Sequence, residues 1–125
     1  MLLQTVIDIA VKCGWSVTVS VIDADCTAFD FRRRTRSGVP FCFCADMKGG
    51  DPVTLLDDIL SFIDAFRPPT FARQWRELSG AGASLEARAL AEMDDMRAEA
   101  WLLVVELSET IASPERRNPP WHIWN

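Results

Sequence analysis

The sequence predicts an α+β domain, a three-stranded antiparallel meander with helices packed on one face, in the order α-β-β-β-α-α-α. Three observations carry this. Apolar residues recur every second position in three consecutive runs between residues 15 and 46, the period of half-buried strands. On either side of these runs the spacing changes to three and four, the period of a helix with one buried face. The chain of 125 residues, 49% hydrophobic and 25% charged, is long enough to bury one core without disulfides or a metal. A single domain over residues 1–112 is expected, followed by a Pro/Trp-rich tail over 113–125.

Residues 2–13 read as a helix in which Leu3, Val6, Ile7 and Ala10 face one way and Gln4, Asp8 and Lys12 another. Gly14 is its natural stop. From Trp15 to Ile22, Trp15, Val17, Val19 and Val21 alternate with Ser16, Thr18 and Ser20. Asp23-Ala24-Asp25 turns the chain, and Thr27, Phe29 and Phe31 alternate with Ala28, Asp30 and Arg32 in a second strand. Beyond the tip at 33–38, Val39, Phe41, Phe43 and Ala45 form the apolar side of a third strand, with Cys42, Cys44 and Asp46 opposite. Pro40 suits a strand entrance or edge.

Asp51-Pro52 is the strongest local helix start, an N-cap followed by proline in the first turn. The helix is expected to reach Phe66, burying Leu55 or Leu56, Ile59, Leu60, Phe62, Ile63 and Phe66, with Asp57, Asp58 and Asp64 outside. Pro68-Pro69 ends it. Thr70 can cap a short helix through Leu78 that carries Phe71 and Trp75, and a connector with two glycines follows over 79–83. A last long helix starts near Ser84, and its seam is Leu85, Ala89, Met93, Met96, Ala100, Leu103 and Leu107.

Charge narrows the classes of function. With 18 carboxylates against 13 Lys plus Arg, the formal net charge is −5, a field that opposes nonspecific nucleic-acid binding and favours a basic partner. No apolar run approaches the ~18 residues of a membrane span, so a protein of the cytoplasm with no membrane contact is expected. One histidine, two lysines and no tyrosine leave few acid, base or nucleophile pairs, so no catalytic residue and no cofactor is assigned and a non-enzymatic binding protein is expected. Cys42 and Cys44 lie on one strand face and could share a soft metal. No second paired-cysteine motif completes such a site, and Cys13, Cys26, Cys42 and Cys44 read as structural thiols.

Three clusters remain as candidate partner-binding residues. Arg33, Arg34 and Arg36, with Arg32, form a positive hairpin tip whose guanidinium forks could clamp phosphates or carboxylates, or instead make internal salt bridges. Glu92, Asp95, Glu99 and Glu106 advance by three, four and seven along the last helix, opposite the Met93 and Leu103 side. They read as an acidic stripe, either simply solvated or presented with Asp57, Asp58 and Asp64 to a basic groove. Trp121 and Trp124 in the tail, beside His122, either fold back or anchor a second subunit or partner.

Several of these pieces together resemble a group of small acidic proteins carried by bacterial mobile elements and phages. They are Trp15, Gly38 with Phe41-Cys42-Phe43, the segment from Phe62 to Phe66, Trp75, Gly80 with Gly82, and Asp94-Asp95. The likeness spans about residues 15–108. The Arg-rich tip and the Trp tail depart from it. The resemblance implies an accessory or counter-defence protein of the anti-CRISPR or antirestriction kind, inhibiting a nucleic-acid-handling host complex by occluding its surface, and it transfers no catalytic residue. The partner so implied is a protein with a basic or nucleic-acid-binding surface, without direct nucleic-acid contact. An antitoxin, immunity or dimerisation module, with a homodimer among its forms, is the second expectation.

Overall fold

The computed structural model describes residues 2–67 and 86–112. Within them the elements are α1 (Leu2–Lys12), β1 (Ser16–Asp23), β2 (Cys26–Arg34), β3 (Pro40–Lys48), α2 (Pro52–Ala65) and α3 (Glu86–Ala112). The expected helix over 70–78, the glycine connector, the Ser84 cap and the tail with Trp121, His122 and Trp124 lie outside the described residues. The strands form an antiparallel sheet in the order β1-β2-β3, an α+β arrangement as the alternation predicts.

Local chemistry explains each boundary. Gly14 ends the first helical segment with φ +94°, a conformation that side chains other than glycine rarely adopt. Asp51 caps α2 by accepting from the Val53 N–H, with Pro52 opening the helix, and the Phe66 N–H closes it on the Phe62 carbonyl. The β2–β3 connection is held by the Gly38 N–H donating to the Thr35 carbonyl at 2.8 Å, and by Gly38 itself at φ +88°.

The pleat sorts the sheet into a dry and an open face. Phe29 and Phe31 of β2 and Phe41, Phe43, Ala45 and Met47 of β3 are buried under the helices. Phe31 and Phe43 are direct cross-strand partners stacked at 5.0 Å, and Phe43 stacks on Phe62 of α2 at 4.4 Å with the rings 7° from parallel. Trp15 closes the sheet end against Phe31, Phe41 and Phe43. Met93, Met96, Ala100, Leu103 and Leu107 of α3 are buried on the same core, as their spacing predicts. Leu60 corrects the expected stripe of α2: it is exposed, and Leu55, Ile59 and Phe66 are the buried positions.

Helix α2 also caps the C-terminal end of the outer edge of β3. The Asp46 N–H donates to Asp58 Oδ2 at 2.7 Å, and the Lys48 N–H donates to Thr54 Oγ1 at 2.8 Å. Two amides directed away from β2 are thereby satisfied by side chains of the chain's own helix.

Candidate functional site

The arginine tip and the acidic stripe, separate features of the sequence, meet in the structure. The tip at the end of β2 folds against the N-terminal half of α3, and three of the four carboxylates predicted as partner-binding face basic residues of this chain. Arg36 reaches Asp95 at 2.6 Å, Arg33 reaches Glu99 at 3.2 Å, and Lys12 of α1 reaches Glu106 at 3.4 Å. The fourth, Glu92, is only 5% exposed. It therefore departs from the solvent-facing position expected opposite Met93, because the hairpin tip lies over it. Glu92 accepts from the Ser37 N–H at 3.2 Å and from the Ser37 hydroxyl.

These contacts fix the ionisation of Glu92. The Ser37 hydroxyl, then the Thr35 hydroxyl, hold its carboxyl below the usual range, outweighing the opposite effect of burial; the Ser37 amide and Arg36 act in the same direction. Thr35, itself buried, also accepts from the Val39 N–H at 3.0 Å. The tip is thus a turn organised around one buried carboxylate.

The pleat divides the arginines. Arg33 continues the alternation of Phe29 and Phe31 and points to the helix side, where its guanidinium lies 5.0 Å from the Trp15 ring centre and donates to the Cys13 carbonyl at 3.2 Å. A side chain at Gly14 would press on this guanidinium, since a Cβ there would sit 3.2 Å from its nearest nitrogen. Arg32 and Arg34 point to the open face. Arg32 is paired with Asp30 at 2.6 Å, whereas Arg34 donates to the Gly38 carbonyl and forms no salt bridge with a described residue. With Ser16, Pro40 and Cys42 they line a shallow recess of about 370 Å³.

The cysteines do not converge. Cys42 and Cys44 are exposed on the open face, with Cys44 Sγ 3.6 Å from Asp30 Oδ1, and no group of three potential metal ligands occurs among the described residues. Partial desolvation and then the Asp30 carboxylate push the Cys44 thiol up. Burial and then Glu106 do the same for Cys13. No described helix is long and apolar enough to cross a membrane.

With the stripe of α3 paired internally, unpaired acidity shifts to α2. Val53, Asp57, Leu60 and Asp64 follow one another by four, three and four residues on its exposed face, and Asp57 and Asp64 form no salt bridge with a described residue. The spacing of the two carboxylates carries this signal in the sequence, and the exposure of Leu60, expected to be buried, gives the face its mixed acidic and apolar character. No family model matches the chain, and neither a curated protein nor a solved structure does.

Proposed function

We propose that this chain is a non-enzymatic binding protein of the counter-defence kind, which inhibits a nucleic-acid-handling complex by covering its basic surface. The supporting observation is the exposed face of α2, where Asp57 and Asp64 alternate with Val53 and Leu60. Carboxylates that form no salt bridge with a described residue attract a basic groove at long range, and apolar side chains between them supply contact area once docked. Asp95, Glu99 and Glu106 serve this role less well, because a partner would have to displace Arg36, Arg33 and Lys12.

The test is binding of the purified chain to purified nucleic-acid-handling defence complexes, with and without their DNA or RNA. Binding that nucleic acid competes away, and that Asp57→Lys with Asp64→Lys abolishes, supports the reading. A folded chain that binds none of them, or binding indifferent to these substitutions, overturns it.

A further inference from the structure

We infer that the recess framed by Arg32 and Arg34 on the open face of the sheet binds the oxyanion of a small molecule, a phosphate ester or a carboxylate carried on a compact apolar body. The recess lies on the side of the sheet opposite the Phe43–Phe62 stack, so the site is independent of the α2 face and of its test.

Strand register builds the site. Ser16 of β1, Arg32 of β2 and Cys42 of β3 stand opposite one another in one cross-strand row, and Arg34 and Pro40 face each other in the next row toward the tip. All five project from one side of the pleat and line a volume of about 370 Å³. Two positions along a strand are about 7 Å apart, so the long side chains of Arg32 and Arg34 can both reach one group seated between them. Pro40 supplies an apolar wall for the rest of the molecule.

The class of ligand follows from the chemistry of the lining. No carboxylate and no side-chain amide lines the recess, and its polar groups on the open face are two guanidiniums, the Ser16 hydroxyl and the Cys42 thiol. Guanidiniums only donate, so a charged acceptor satisfies them and a cation is repelled. Donors remain on both. Arg32 directs Nε and Nη2 to Asp30, and Arg34 directs Nη1 to the Gly38 carbonyl at 2.8 Å, whereas Nη1 of Arg32 and Nε and Nη2 of Arg34 bond no described residue. The same contacts tether both forks before a ligand arrives, which lowers the entropy cost of binding. Asp30 orients Arg32 from outside the lining. In a chain of net charge −5 the recess is a local positive centre.

Titration of the isotope-labelled full chain with phenyl phosphate, phenylacetate and benzylamine, followed by NMR at about physiological ionic strength, tests this. At least one of the two anions shifts the amide signals of Ser16, Arg32, Arg34 and Cys42 with a Kd of about 1 mM or tighter, and benzylamine leaves them in place. The tighter anion tells phosphate from carboxylate. Arg34→Gln weakens its binding by at least about 10-fold while circular dichroism stays unchanged.

The cysteines of the wild type give a second reading that needs no variant. Cys42 lines the recess, whereas Cys44, two residues along the same face, has its sulfur 3.6 Å from Asp30 and lies outside the lining. For each thiol, the alkylation rate with iodoacetate divided by that with iodoacetamide cancels intrinsic reactivity and reports the pull on the reagent's charge. Saturation with the tighter anion lowers this ratio at Cys42 by at least about 3-fold and leaves it unchanged at Cys44. Two anions that shift no recess signal at about 10 mM, binding that Arg34→Gln leaves intact, or a Cys42 ratio indifferent to the bound anion overturns the proposal.

Discussion

Glu92 and Ser37 are 55 positions apart, yet the carboxylate of one accepts both the amide and the hydroxyl of the other, so the hairpin tip and α3 form one unit. A buried carboxylate with two donors from a single residue locates that residue closely. The tip therefore has a place on the domain that its exposed, charged composition would not suggest.

Removing the acceptor strands two donors near the helix. Glu92→Ala is expected to lower stability by about 2–3 kcal/mol, the scale of hydrogen bonds to a charged group, and Ser37→Ala by about 1 kcal/mol less. Urea unfolding followed by circular dichroism measures both. Equal stability of Glu92→Ala and wild type would show that the tip is not held by this carboxylate.

The same contact makes stability pH-dependent with a defined sign. The carboxyl of Glu92 is held below its ordinary value in the folded chain, so the unfolded chain binds the proton more readily. Stability from this group is complete above the ordinary carboxylate range and is lost as pH falls through the lower, folded value. Glu92→Gln removes that part of the dependence. Melting temperatures of both proteins between about pH 6 and pH 2 should converge toward the acid end.

Arg33 and Arg36 should differ sharply although both pair with α3. Arg36 and Asp95 have side chains 80% and 48% exposed, and Arg36→Ala is expected to cost under ~0.5 kcal/mol. Arg33 has a side chain 20% exposed, lies over Trp15 and bonds the Cys13 carbonyl. Arg33→Ala should cost about 2 kcal/mol, and Arg33→Lys should recover little because the flat fork is lost. Double-mutant cycles with Asp95→Ala and Glu99→Ala in low and high salt separate the two cases.

Gly14→Ala combines a positive φ with crowding of Arg33, and a loss of about 1–2 kcal/mol is expected. If the loss is chiefly backbone strain, it persists in an Arg33→Ala background; if it is chiefly crowding, it shrinks there. Thermal unfolding of the two single variants and the double variant reads this out.

The meander was legible because its information is local. Alternation through Phe29 and Phe31 and through Phe41 and Phe43 anticipates the dry face, and Asp51-Pro52 anticipates the start of α2 to the residue. The burial of α2 was harder. Leu55, Leu56, Ile59, Leu60, Phe62 and Ile63 cover nearly half the circumference of the helix, with Leu60 at one edge, so periodicity alone does not say which edge of that band faces water. Glu92 was illegible for another reason: a carboxylate between Ala91 and Met93 reads as polar surface until the tip is known to fold over it. The split of Arg33 from Arg32 and Arg34, by contrast, follows from the parity of β2 and required only that the alternation be carried two residues further.

The capping of β3 by Asp58 and Thr54 also bears on how far this sheet can be extended. A sheet with two open edges adds copies without end, as fibres do. Here two of the outward-facing amides of β3 are already held by α2, so a strand arriving on that side finds part of its ladder taken. By the same logic Asp58→Ala, which strips the acceptor from the Asp46 amide, would free an outward donor on that edge and make it easier for a foreign strand to pair there.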